Sequence, residues 1–446
     1  MTNRVMLQLA AMILLTTPVL AQEVPQESPP TYNCDFEPSC EVAPGIYGKM
    51  ASPATSKFNL SFGGYVKLDY IYNSVNLGPT TGPAALATLQ PGGIPKSSSI
   101  AAQQDQSILT ARQTRFWMKV NGPSFLGAKT GALIETDFYG NGSSSNEAAN
   151  LRMRHAYGTM DWKSTQVLFG QSWDNFGPAA ASTIDFGQGA TFGNPASPRV
   201  AQIRVTQKVS LSEQNSLKLI AAVQNPAEDS NTANGTANES WGSMVNVASQ
   251  AMVVSKTLGV APGFWGLPMN SLTAGLFGLY GNQEVSKTSG SVDSWGYGFY
   301  TFVPLLKSSD GKSRAMTASF EGQAYMAANM AFNHATAAPY VGPNGDKSPA
   351  KGYGVFGQAI FYPTQNLGIT AGYGRRAAYN NDSYAAIANY QKSSSHVFAN
   401  IAYDLNAAIR VAAEYQYVDT KYGNNSPGTS DIGTANVGRF SVMYFF

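Results

Sequence analysis

The stretch Phe58-Asn59-Leu60-Ser61-Phe62-Gly63-Gly64-Tyr65-Val66-Lys67-Leu68-Asp69-Tyr70-Ile71-Tyr72-Asn73 decides the fold. Phe58, Leu60, Phe62, Val66, Leu68, Tyr70 and Tyr72 share one parity, and Asn59, Ser61, Lys67, Asp69 and Asn73 share the other. Successive side chains of a strand point to opposite faces, so this segment reads as a strand with one apolar and one polar face. The pattern returns near the end of the chain. Ile409, Val411, Ala413, Tyr415 and Tyr417 oppose Arg410, Glu414 and Gln416, and Phe440, Val442, Tyr444 and Phe446 oppose Arg439 and Ser441.

Between these landmarks the same period-two reading predicts sixteen strands. They cover 57–73, 109–121, 127–140, 149–162, 164–173, 199–211, 214–225, 241–256, 271–284, 292–306, 312–328, 352–362, 366–378, 392–404, 408–420 and 435–446. The connections alternate in length. Long ones include 74–108, 174–198, 226–240, 329–351 and 421–434; short ones include Gly122-Pro123-Ser124, Asp310-Gly311 and Pro363-Thr364-Gln365. An even strand count with long outer loops and short periplasmic turns is the pattern of a bacterial transmembrane antiparallel barrel, and a soluble sandwich has no reason to follow it. The connection 257–270, with Pro262 and Pro268, is too long for the turn expected there.

Composition agrees. Charged residues are 13% of the 446, about half the usual soluble share, while 44 glycines and 11% aromatics suit many strands, turns and interfacial girdles. No run of 18 uncharged apolar residues follows the N-terminus, which leaves strands to cross a bilayer. In hydrocarbon only helices and closed barrels satisfy every backbone group, and sixteen strands enclose a lumen too wide for side chains to fill. The apolar parity therefore faces lipid and the polar parity faces water. A net charge of +2 gives no case for nucleic acid.

Residues 1–21 read as a secretory signal: Arg4, an apolar stretch from Met6 to Leu15, then Val19-Leu20-Ala21. Residues 22–56, rich in Pro, Glu and Ser, read as an irregular periplasmic segment before a barrel spanning 57–446. Cys34 and Cys40 enclose five residues, and in an oxidising compartment a small disulfide loop is expected, with free thiols as the alternative.

Several motifs resemble a known family: Phe62-Gly63-Gly64-Tyr65-Val66-Lys67-Leu68-Asp69, Thr114-Arg115-Phe116-Trp117-Met118-Lys119, Ile134-Glu135-Thr136-Asp137-Phe138-Tyr139-Gly140, Leu151-Arg152-Met153-Arg154-His155-Ala156-Tyr157-Gly158 and Phe169-Gly170-Gln171-Ser172-Trp173. Together they are similar to the DcaP-like porins, most clearly over about residues 60–210. The resemblance implies a homotrimeric outer-membrane barrel that takes up dicarboxylates and similar anions, set among outer-membrane lipid and lipopolysaccharide. The terminal Phe446 looks like the aromatic end read by the barrel-assembly machinery. The helical coiled-coil extension of well-known members is missing from residues 22–56, which show no heptads and several Pro.

Parity places Arg115 and Lys119, Glu135 and Asp137, Arg152 and Arg154, and Arg204 on the water-filled side. Such a row is both a cross-strand charge ladder and a pore wall that sorts ions by fixed charge. Five bases against two acids lean towards small anionic solutes. The long connection 174–198 carries Asp174, Phe176, Asp185, Phe186 and Phe192; its apolar content predicts folding into the lumen as a constriction loop, as the third loop of sixteen-stranded porins does by resemblance. His155 shares parity with Leu151, Met153 and Tyr157 and is expected to face outward. None of His155, His334 and His396 lies two residues before a Ser, and no phosphate-binding loop or metal spacing is present. No catalytic site, metal or cofactor is therefore expected. The competing reading is a structural or adhesive barrel with a plugged lumen.

Overall fold

The computed structural model describes residues 48–50, 58–77, 94–140, 149–185, 199–226, 245–286, 290–330, 340–341, 347–379 and 388–446. The signal stretch, Cys34 and Cys40, and Phe186 and Phe192 of the long loop lie outside the described residues.

Sixteen antiparallel strands close on themselves. β1 is Asn59–Asn73 and β2 runs in two pieces, Gln106–Thr110 and Arg115–Asn121. β3 to β7 are Lys129–Gly140, Asn150–Asp161, Thr165–Trp173, Arg199–Ser210 and Asn215–Gln224. β8 to β11 are Asn246–Pro262, Met269–Ser286, Gly290–Leu306 and Thr317–Ala328. β12 to β16 are Lys351–Tyr362, Leu367–Ala378, Tyr390–Asp404, Ile409–Gly423 and Ile432–Phe445. Each strand pairs with the next, and β1 closes the barrel on β16 with Tyr65 opposite Phe445 and Tyr70 opposite Phe440. Closure removes the sheet edges that lipid could not satisfy.

The polar parity is buried and the apolar parity exposed. Lys67, Asp69 and Asn73 of β1 are almost wholly buried, while Phe62, Val66 and Leu68 are about half exposed. This inversion of a soluble protein is the one a bilayer demands.

Three expectations need correction. The span 109–121 is not one strand, because Ala111–Thr114 breaks it and turns Arg112 and Gln113 into the interior. The connection 257–270 is partly strand: β8 continues to Pro262 across a register shift between Ser255 and Val260, and only 263–268 links it to β9. His155 does not face outward. A register shift between Glu135 and Thr136 sets Glu135 opposite His155 but Thr136 opposite Met153, so Arg154 is an extra residue. A bulge reverses parity beyond it. Arg154 and His155 are both buried, with the His155 ring edge-on to Trp173 at 5.4 Å and to Tyr157 at 5.8 Å.

Smaller differences lie at the ends. Within the segment read as irregular, Gly48–Met50 pairs with Leu60–Phe62 of β1. β11 begins at Thr317, so the turn before it is 307–316, where the Asp310 carboxylate accepts the backbone N–H groups of Lys312 and Ser313 at 2.8 and 2.6 Å. Those two donors, Ser313 first, stabilise the ionised carboxylate and hold its pKa below the usual carboxylate range.

Candidate pore lining and constriction

The long connection after β5 turns inward at once. Phe176 is fully buried, with its ring edge-on to Phe277 of β9 at 5.0 Å and to Tyr325 of β11 at 5.6 Å. Gly296 of β10 makes room for it, since a Cβ there would sit 2.6 Å from the Phe176 ring. Asp174 helps set the bend by accepting the Phe176 backbone N–H at 3.0 Å.

From there the loop follows the wall, held mostly by amides. Asn175 donates to Gln202 of β6 at 2.9 Å and to Gln224 of β7 at 2.8 Å, and Gln250 of β8 donates to the Asn175 carbonyl at 2.9 Å. The Ala179 N–H donates to Gln323 of β11 at 3.1 Å. Gln358 of β12 accepts from the Ser182 N–H at 2.9 Å and donates to the Ala180 carbonyl at 2.8 Å. Asn400 of β14 donates to the Ser182 carbonyl at 2.6 Å, and Glu414 of β15 accepts the Ile184 N–H at 2.8 Å. At the far end Gln113, from the break in β2, donates to the Asp185 carbonyl at 2.5 Å, and Arg439 of β16 lies 3.7 Å from the Asp185 carboxylate. Twelve residues reach at most about 43 Å. They run from β5 along β6–β16 to β2.

A loop in water pairs its own backbone groups with solvent. Here the wall's side chains replace that solvent, which fixes the loop at many points. Sequence reading missed these anchors. Their signal is present in hindsight: Gln202, Gln224, Gln250, Gln323, Gln358 and Asn400 all sit on the inward parity of their strands.

The wall that this run does not follow carries a cluster of paired charges. Arg152 of β4 grips Asp137 of β3 with two prongs, at 2.9 and 2.5 Å. Arg154 donates to the same carboxylate at 3.0 Å and to Glu135. Arg115 of β2 lies 3.4 Å from Glu135, and its guanidinium is 5.4 Å from the Tyr65 ring centre. The structure thus brings together five of the seven predicted charged residues. Arg204, buried on β6, is opposite Leu168 of β5 and Ala222 of β7. Lys119 is exposed two residues from the periplasmic end of β2, opposite Leu133. Of the two β4 arginines, Arg154 is wholly buried, while the Arg152 side chain keeps 28% exposure.

A second buried cluster backs the loop's far end. The Lys67 ammonium donates to Asp69 at 2.7 Å and to Gln113, and Ser441 donates to Asp69. Phe446 continues the closure of the barrel, exchanging backbone hydrogen bonds with Gly64 at 3.0 and 3.1 Å while its ring stays partly exposed. Among the described residues no group of three or more His, Cys, Asp or Glu is disposed to hold a metal ion.

No family model and no curated protein matches the chain. Solved structures do. The outer membrane channel DcaP of Acinetobacter baumannii superposes with a TM-score of 0.67 at 18% identity, covering 90% of this chain and all of that one. The anion-selective porin from Comamonas acidovorans gives 0.52 at 10% identity over 87% of this chain and all of that one. OmpF of Salmonella typhi, in complex with daunomycin, gives 0.50 at 12% identity over 87% of this chain and 98% of that one. At these identities the likeness is one of fold, and the fold is that of bacterial outer-membrane channels and porins.

Proposed function

We propose that this chain is an outer-membrane porin through which small hydrophilic solutes diffuse passively, and that it prefers small anions such as carboxylates and dicarboxylates. The observation that carries the reading is the division of the lumen. Residues 174–185 line β6–β16 and narrow the passage from that side, so solutes pass against the wall that holds Arg115, Arg152 and Arg154, with Arg204 of β6 at the margin between the two sides. Three guanidinium groups face two carboxylates there. The guanidinium group stays charged at any relevant pH and binds carboxylates in a two-pronged way. In open water such a surplus does little, but a narrow passage with low-dielectric walls focuses its field. Lys119 and the wall of Asp174 and Asp185 tune the two ends of this path. The anion-selective porin among the similar folds supports the same preference.

The chain works as a homotrimer in this reading, among outer-membrane lipid and lipopolysaccharide, after insertion by the assembly machinery that reads Phe446. Planar-bilayer recording of the purified protein tests all of it: three-step closures, and a reversal potential under a KCl gradient on the chloride side. A second reading, a barrel with a plugged lumen, is favoured by how much of the interior is filled. Liposome swelling separates the two, because a plugged barrel passes no small sugar or dicarboxylate.

A further inference from the structure

The link between β8 and β9 departs from every other periplasmic connection. Its strands do not stop at the barrel rim. β8 shifts register between Ser255 and Val260, where Gly259 takes a positive φ of 74°, and the hairpin then bends inward. At its tip Phe264, Trp265 and Gly266 are all buried. The hairpin is held on the way: Ser319 of β11 donates to the Pro262 carbonyl at 2.7 Å, and a Cβ on Gly266 would clash with the Tyr362 hydroxyl of β12.

Trp265 itself adopts the left-handed conformation, with φ of 50°. A bulky residue there costs roughly 1 kcal/mol or more, and persists only where its surroundings require it. The surroundings are explicit. The Trp265 indole N–H donates to the Thr183 carbonyl at 3.2 Å, inside the wall-following loop. The Arg410 guanidinium lies 5.6 Å from the Trp265 ring, and is itself held by Asp404 at 2.5 and 3.1 Å. Phe264 and Trp265 share one apolar cluster with Ile184 of the loop and with Tyr65, Ala402, Ala412, Met443 and Phe445 of the wall.

We infer that the 263–268 turn is a strut, with Trp265 as the positioning residue that fixes residues 180–185 from the periplasmic side and thereby sets the size and steadiness of the aperture. The amide contacts of Gln202, Gln323, Gln358 and Asn400 come from the wall beside the loop. The strut meets it from the periplasmic side at Thr183, near the point where it crosses towards β2. This inference rests on the reading of residues 174–185 as the constriction, and the test separates the two.

Trp265→Ala removes both the ring and the indole N–H; Trp265→Phe keeps a ring and removes the N–H. Both are made in a chain with Cys34→Ser, Cys40→Ser and Ala180→Cys, since Ala180 packs against the strut's cluster. Two quantities are measured on protein that still shows heat-modifiable migration: single-channel conductance with its open-channel noise, and the rate at which the cysteine at 180 reacts with a membrane-impermeant maleimide. Loss of local packing raises exposure of the segment it held. Trp265→Ala should speed labelling about tenfold or more and raise conductance about 1.5-fold with greater noise, and Trp265→Phe should recover most of both. Faster labelling with unchanged conductance upholds the strut and contradicts the constriction. Unchanged labelling in folded Trp265→Ala protein, whatever the conductance, overturns the strut.

Discussion

The two sides of the lumen solve the same problem with different chemistry. On β6–β16 the interior wall pairs the backbone of residues 174–185 mostly with neutral amides, and with the Glu414 carboxylate, although Arg204, Arg376, Arg410 and Arg439 are also buried on this side. On β2–β4 it presents Arg115, Arg152 and Arg154 against Glu135 and Asp137, and these pair with one another. A neutral amide can satisfy a peptide group without bringing a charge out of water, so the first side can be filled by polypeptide. The ladder's charges neutralise one another even where they are buried, and Arg152 keeps part of its side chain exposed, so in the proposed reading this second side borders the solute path.

The comparison breaks most visibly if the filled side is emptied. Deleting 180–194 removes the wall-following run and should raise single-channel conductance by about twofold or more, since the aperture then approaches the bare lumen. Unchanged conductance in a correctly assembled variant means that the loop does not bound the path.

Next come two substitutions of nearly equal weight, one on each side. Phe176→Ala should cost about 3–5 kcal/mol, seen as a lowered unfolding midpoint in detergent, because the ring is fully buried among Phe277, Tyr325 and Met330 and its removal leaves a cavity. Arg154→Ala should cost up to about 3 kcal/mol, because Glu135 and Asp137 stay buried with less compensation. The two sides differ in how they are rescued. Adding Glu135→Gln to Arg154→Ala should restore much of the midpoint, as no uncompensated charge remains; no charge change rescues Phe176→Ala. Failure of Glu135→Gln to help would show that the ladder is not held by mutual neutralisation.

The smallest effect concerns the bulge in β4. An inward His155 packs on Trp173 and Tyr157, so His155→Leu should lower stability by roughly 1 kcal/mol. A lipid-facing position would gain from the same change, and a raised midpoint would restore the outward reading.

What was legible in the amino-acid sequence follows the same divide. Val66–Tyr72 and Phe440–Tyr444 carry alternation clear enough for the outward apolar residues to be read, although apolar Tyr65, Ile71, Val437 and Met443 sit on the inward parity. At Arg154 and His155 one extra residue enters the ladder, and alternation cannot reveal a bulge because both neighbours are polar. Parity correctly placed Arg115, Glu135, Asp137, Arg152 and Arg154 inside. It did not say that Arg154 would be spent on two carboxylates while Arg152 kept some exposure, because partner choice depends on cross-strand register. The over-long 257–270 connection marked the strut as an anomaly, but nothing local told that Trp265 would meet Thr183, 82 residues earlier.

The most direct test of the divided lumen is the reversal potential of the wild-type channel under a KCl gradient, measured beside Arg152→Ala with Arg154→Ala. The wild type should sit on the chloride side, and the double variant should move towards neutrality or cation preference. A wild-type potential on the potassium side, or a double variant with the wild-type value, would contradict the assignment of conduction to the arginine-bearing wall.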